Sequence, residues 1–309
     1  MMTIFIDEHI HPKPPSAHTY TPVYCRRLIE AGYEVTVYNR NPAKTEPLVA
    51  LGATAATSPR AVVEASDIIF GMVSDPAAAL AVATGAQGVA AGMSEGKGYV
   101  DVSTVDAATS QAIEAAVTAK GGLFLEAPVS GSKGPAEGGQ LIFLCGGSAE
   151  LFAAVHSGLG TDKSKAKLPL DIMGKASFHL GSVGSGANMK LVVNGVMGTM
   201  MAALAEGMAL ADGAGLDQKQ LVEVLGLGAM ACPMFALKGP AMVEANYPTA
   251  FPLKHQQKDL RLALLLADQA AQKMPTTAAA NQLYVEAIHD GHADADFSAV
   301  LAAVKKANK

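Results

Sequence analysis

Asp67-Ile68-Ile69-Phe70-Gly71-Met72-Val73 is a continuous apolar run that stops on Ser74-Asp75-Pro76. A strand buried on both faces of a parallel sheet reads this way, because neither face is left for alternating polar residues. Outward from it, Leu28-Ile29-Glu30-Ala31-Gly32 ends a helix on a glycine, Glu34-Val35-Thr36-Val37-Tyr38 is a β-branched strand, and Pro59 to Ser66 is a short helix. Tyr99-Val100-Asp101-Val102-Ser103 is another buried strand, followed by a helical stretch over Ala107–Lys120. Phe124–Ala127 and Leu141–Leu144 are further strands. Strands alternating with helices predict βαβ units and an α/β, Rossmann-type domain with a doubly wound parallel sheet.

The second half changes character. From Asn188 to Asp212 the chain runs without proline and stops at Gly213-Ala214-Gly215. It is apolar nearly all round, which predicts a long, central, buried helix. Helical segments follow over Asp217–Leu227, Asp259–Lys273, Thr276–Asp290 and Ser298–Lys306. The expectation is a dinucleotide-binding domain over 1–183 and an all-α domain over 184–309 for substrate and dimerisation, joined by the long helix. Residues 158–169, with Lys163, Lys165 and Lys167, read as an exposed polar insertion.

Composition narrows the function. The net charge is −5 with no long basic run, so nucleic acid is not an expected partner. No uninterrupted apolar run reaches the ~20 residues of a membrane span, so no membrane partner is expected either. The three cysteines, Cys25, Cys145 and Cys232, are far apart and odd in number, which suits a reducing compartment. The first residues resemble neither a secretory signal nor an Arg-rich transit peptide, so a cytoplasmic location is expected, with an organellar form left open. His9, His11 and His18 have no further ligands spaced nearby, and no metal is expected.

Four constellations carry chemistry. Gly184-Ser185-Gly186-Ala187-Asn188-Met189-Lys190 opens the long helix, and Asn194 lies one turn after Lys190 on the same face. An ammonium there either snorkels to water or serves a site. It also opposes the helix dipole and needs a compensating anion, for which a bound carboxylate would serve. Glu126 to Ala136, with Ser130 and Gly131, is a Gly/Pro loop placed after a strand, where α/β sheets bind ligands; an ordinary turn is the alternative. Phe251 to Leu260 contains Lys258-Asp259, which at a helix start reads as a simple charge pair at a cap. Asn39-Arg40 follows the second strand, where an acidic residue takes the ribose of NAD and an arginine accommodates the 2′-phosphate of NADP.

Taken together these strings, with Asp101-Val102-Ser103-Thr104-Val105-Asp106, Pro128-Val129-Ser130-Gly131-Ser132 and Leu227-Gly228-Ala229-Met230, resemble the β-hydroxyacid dehydrogenase family, related to 6-phosphogluconate dehydrogenase. The resemblance covers roughly Cys25 to Phe297 and leans toward glyoxylate/succinic semialdehyde reductases of plant type. It implies an oxidoreductase that uses NADPH on a small aldehyde acid, as a homodimer or homotetramer. It implies Lys190 as catalytic acid and Ser130, Gly131, Asn194, Phe251 and Asp259 as substrate residues. Ser74, Thr104 and Lys258 join Asn39 and Arg40 toward the cofactor. Another β-hydroxyacid substrate of the 3-hydroxyisobutyrate kind is the alternative within the family.

One stretch departs from the family pattern. Relatives carry G-x-G-x-x-G before the first helix, whereas residues 11–24 here contain no glycine and have prolines at 12, 14, 15 and 22. Proline offers no N–H, and only glycine lets backbone approach a pyrophosphate closely. A catalytically silent family member is therefore a competing reading. Replacing residues 11–24 by a G-x-G-x-x-G turn should tighten NADPH binding markedly, as read by fluorescence titration. Equal dissociation constants for the two chains would show that the unaltered segment already builds a phosphate site.

Overall fold

The computed structural model describes residues 2–6, 21–157 and 168–306. The histidines at 9, 11 and 18, most of the glycine-free stretch and residues 158–167 of the insertion expected over 158–169 lie outside them, while Pro169 is buried at the start of a short helix rather than exposed. The chain forms two compact units, the first ending at Lys190 and the second beginning at Leu191.

The first unit is built on strands β1 (Met2–Ile6), β2 (Val35–Asn39), β3 (Thr54–Ala55), β4 (Ile68–Gly71), β5 (Gly98–Asp101), β6 (Leu123–Glu126), β7 (Val129–Ser130), β8 (Leu141–Gly147) and β9 (Gly174–His179). Their order among the described residues is β3-β2-β1-β4-β5-β6-β8-β7, with β9 on β8. From β3 to β6 every pairing is parallel, which is the 3-2-1-4-5-6 order of a dinucleotide-binding sheet. Neighbouring residues of each strand face opposite ways. Phe70, Val100 and Leu125 join one core, with Cys25 and Leu28 from the first helix. Ile69, Tyr99 and Phe124 join the other, with Val62, Ile113 and Val117 from helices on the second face. Continuous apolar runs were required because both faces are covered.

Helices start where the sequence supplies a cap. Ser58, Asp75, Asp106 and Ser148 each accept a hydrogen bond from the backbone N–H three residues on. The first helix spans Thr21–Glu30, so Pro22 lies in its first turn, where a missing N–H breaks no intrahelical bond.

Two expectations need correction. The strand at 141–147 is antiparallel to β6, not parallel, because only a short helix (Lys133–Glu137) and β7 separate them and no full crossover intervenes. The long helix, Ser185–Gly213, is not buried all round. In the second unit its Met201, Leu204, Ala205 and Met208 enter the core, while Val192, Val196 and Leu210 are exposed. The helix is long and apolar enough to cross a membrane by length and composition, but half of its most apolar window is buried in protein.

The second unit is helical. Helices Gln218–Leu227, Pro233–Val243, Leu253–Gln269, Pro275–Ala287 and Val300–Lys306 surround Leu253, Leu260, Tyr284 and Phe297. Asp296 is its polar hub. Its Oδ2 accepts from the Lys238 ammonium at 2.7 Å and from the amides of Ala250 and Phe251, while Oδ1 accepts from the Ser298 hydroxyl. Lys238 also lies over the Phe297 ring at 5.2 Å. Asp296→Ala strands a buried ammonium and two amides, and should destabilise the chain by about 3–5 kcal/mol. Urea unfolding at pH 7 measures this, and a loss below about 1 kcal/mol would remove Asp296 from that role.

Candidate functional site

The parallel strands of the first unit bring the expected residues to one edge, since Asn39, Ser74, Thr104 and Ser130 all lie at or beyond strand carboxyl ends. Asn39 closes β2 and is 4% exposed. Its Oδ1 accepts from the Asn41 amide at 2.8 Å, and its Nδ2 is buried with no hydrogen-bond partner among the described residues. An acidic residue here would accept from a ribose hydroxyl, whereas this amide offers a donor, with Arg40 exposed beside it. A donor next to a cation suits a phosphate oxygen. The orphaned N–H thus fits a 2′-phosphorylated dinucleotide.

The loops after β4 and β5 are locked together. Val73 N–H donates to Ser103 Oγ at 3.0 Å, and Ser103 N–H donates to Asp101 Oδ1 at 2.9 Å. Burial pushes the Asp101 carboxyl up, with Ser103 opposing. This clamp holds Ser74 and Thr104 on adjacent loops. Ser74 Oγ donates to Asp75, which in turn caps the next helix. Gly131 has φ +134°, and a Cβ there would sit 2.8 Å from Leu141 Cδ2, so the turn after Ser130 admits only glycine.

Lys190 is 7% exposed, so the surface-lysine reading of this position is set aside. The helix start that leads to Lys190 carries an internal carboxylate. Glu126 Oε1 accepts from the amides of Gly184 and Gly186 at 2.7 Å and of Ala187 at 3.2 Å. Sequence reasoning quoted Glu126 but gave it no role, because its partners lie about sixty residues away.

In the second unit Asn194, Lys258 and Asp259 come together. Asn194 Nδ2 donates to Asp259 Oδ2 at 2.6 Å, and Lys258 Nζ lies 3.0 Å from Asp259 Oδ1. Gln256, which sequence reasoning missed, donates to the Asn194 carbonyl at 2.9 Å. The helix begins at Leu253, so Lys258-Asp259 lies more than a turn inside it and is not a cap pair. Phe251 stacks edge-on against His255 and Phe297. Among the described residues no three His, Cys, Asp or Glu side chains converge for a metal ion.

His255 is half-buried, and its desolvation with the nearby Lys258 and Lys254 pushes its pKa down to about 4, against the pull of Asp259 and Asp294. Above pH ~6.5 the ring is neutral in both folded and unfolded chains. Below that the unfolded chain binds the proton first, so stability falls from about pH 6.5 to about pH 4, by roughly 3 kcal/mol in all. His255→Gln should flatten this part of the profile. Denaturation at pH 7 and pH 4.5 checks it, and equal slopes for both chains would show that His255 does not titrate this way.

Residues 23–162 match the NAD binding domain of 6-phosphogluconate dehydrogenase, and residues 184–304 the NAD-binding domain of NADP-dependent 3-hydroxyisobutyrate dehydrogenase. The chain is 54% identical over 282 residues to the chloroplastic glyoxylate/succinic semialdehyde reductase 2 of Arabidopsis thaliana, covering 91% of this chain and 76% of that one. It is 50% identical to reductase 1 of the same plant, covering 90% and 92%. A 3-hydroxyisobutyrate dehydrogenase from Salmonella typhimurium superposes with TM-score 0.83 at 25% identity, over 98% of this chain and 99% of that one.

Proposed function

This chain belongs to the β-hydroxyacid dehydrogenase family, that of 6-phosphogluconate and 3-hydroxyisobutyrate dehydrogenases, and on that premise we propose that it reduces glyoxylate to glycolate and succinic semialdehyde to 4-hydroxybutyrate with NADPH. The observation that carries the reading is Lys190, a buried ammonium just inside a glycine-led helix, in a chain half identical to two reductases named for these substrates.

Asn39 and Arg40 are assigned to the 2′-phosphate, and Ser74, Thr104 and Lys258 to the remainder of the dinucleotide. When bound, NADPH supplies a hydride to the aldehyde carbon. Lys190 stabilises the charge that develops on the carbonyl oxygen and gives it a proton. Ser130 and the Gly131 turn hold the substrate carboxylate. Asn194 gives one N–H of its amide nitrogen to Asp259, which fixes the plane in which the amide meets the substrate. Asp259 and Phe251 border the reacting group, and Phe251 keeps water away from it. The exposed apolar residues Val192, Val196 and Leu210 on the long helix support a homodimer or homotetramer.

One observation favours a second reading, a silent family member. The match to the cofactor-domain family begins only at residue 23, after the glycine-free stretch. NADPH-dependent turnover of glyoxylate separates the two. In the active reading Lys190→Ala lowers kcat by about 10²–10³ while the NADPH dissociation constant stays within about twofold. Parental turnover in the Ala variant would remove Lys190 from the chemistry.

A further inference from the structure

Glu126 is the last residue of β6, and four residues later the same segment makes the Ser130–Gly131 turn. Its Oε1 takes the amides of Gly184, Gly186 and Ala187, which are among those a helix leaves without internal partners. The fit is closed on every side. A Cβ at Gly186 would overlap the Leu144 carbonyl, and one at Gly146 would stand 2.6 Å from Oε1 itself. A side chain at either position would push the helix start away from the end of β6. Lys190 follows Gly186 by four residues, about 6 Å along the axis.

We propose that Glu126 is a positioning residue for the reduction: its carboxylate fixes where the Lys190 helix begins relative to the Ser130–Gly131 turn, and holds the Lys190 ammonium in its charged form against the helix dipole. The proposal rests on the acid role given to Lys190 above. The other groups on elements packed around Glu126 leave the charge effect to it. Ser110, on helix Ala107–Thr118, is an uncharged neighbour that pulls the carboxyl down, and Cys145 on β8 stays neutral because burial and Glu126 push its thiol up to about 12. Asp101 on β5 is the cross-strand neighbour, and its carboxyl is turned to Ser103. Burial pushes Glu126 up, while the three amides and Ser110 pull it back toward the ionised form.

Two variants of the full chain separate position from charge. Glu126→Gln keeps an acceptor oxygen and removes the charge; Glu126→Asp keeps the charge and withdraws the oxygen by one methylene. Melting temperature, NADPH affinity, kcat, KM for glyoxylate and the alkaline limb of kcat are measured for each. For Gln we expect a melting temperature lowered by a few degrees but still well above the assay temperature, parental NADPH affinity, kcat roughly tenfold lower, and an alkaline limb about half a unit to one unit lower in pH. For Asp we expect lowered kcat with the limb in place. A Gln variant with parental kcat and limb overturns the proposal, as does a loss of kcat that only tracks melting or NADPH affinity. If Gln does not fold, an Asp variant with parental kcat overturns it alone. A parental chain that binds NADPH but turns over no aldehyde acid refutes the functional reading instead, and the proposal falls with it.

Discussion

A 29-residue helix presents several backbone donors at its first turn, and here a single carboxylate oxygen from the sheet accepts three of them. Charge-assisted bonds of this kind are stronger than neutral ones, and the donors they satisfy would be costly to leave buried alone. The helix belongs to both units, since the division falls after Lys190. Within the first unit, Glu126 therefore ties the start of that helix to the sheet. Glycines at 146 and 186 are the steric condition for this, because a side chain at either would push the helix start off the strand.

Features set by neighbours in sequence were readable. Buried strands announced themselves as apolar runs, and caps such as Asp75 and Asp106 stand three residues before the amides they serve. Direction was not readable for β8, because an apolar strand reads the same whichever way it runs and the intervening 127–140 segment decides. The exposed side of the long helix was hidden for a related reason. Alanine, methionine, valine and glycine surround it on all sides, so no polar stripe marks which face leaves the core. Lys258-Asp259 was read as a cap because the helix start was placed at Asp259; Pro252 sets it at Leu253 instead.

The second unit stores its specificity in buried polar chains. Lys258, Asp259 and Asn194 form one, with Gln256 on the Asn194 carbonyl, and Lys238 with Asp296 forms another. These link residues 58 to 65 positions apart in sequence, so no local spacing could reveal them. Networks of this type are costly when partly satisfied and restrictive when complete. Asp296 also fixes the backbone of Phe251, so packing at one end of the domain reaches a residue of the candidate site.

The place of β1 in the sheet has a consequence during synthesis. It lies between β2 and β4, and its second partner ends at Gly71, 65 residues after Ile6. At ~5–20 residues per second a ribosome takes roughly 3–13 s to supply that distance. Until Asn39 is made both edges of β1 lack a partner, and from there to Gly71 one edge still does. An unpaired strand edge is a template for wrong pairing, so the rate at which the ribosome traverses the messenger between those codons sets how long that hazard lasts.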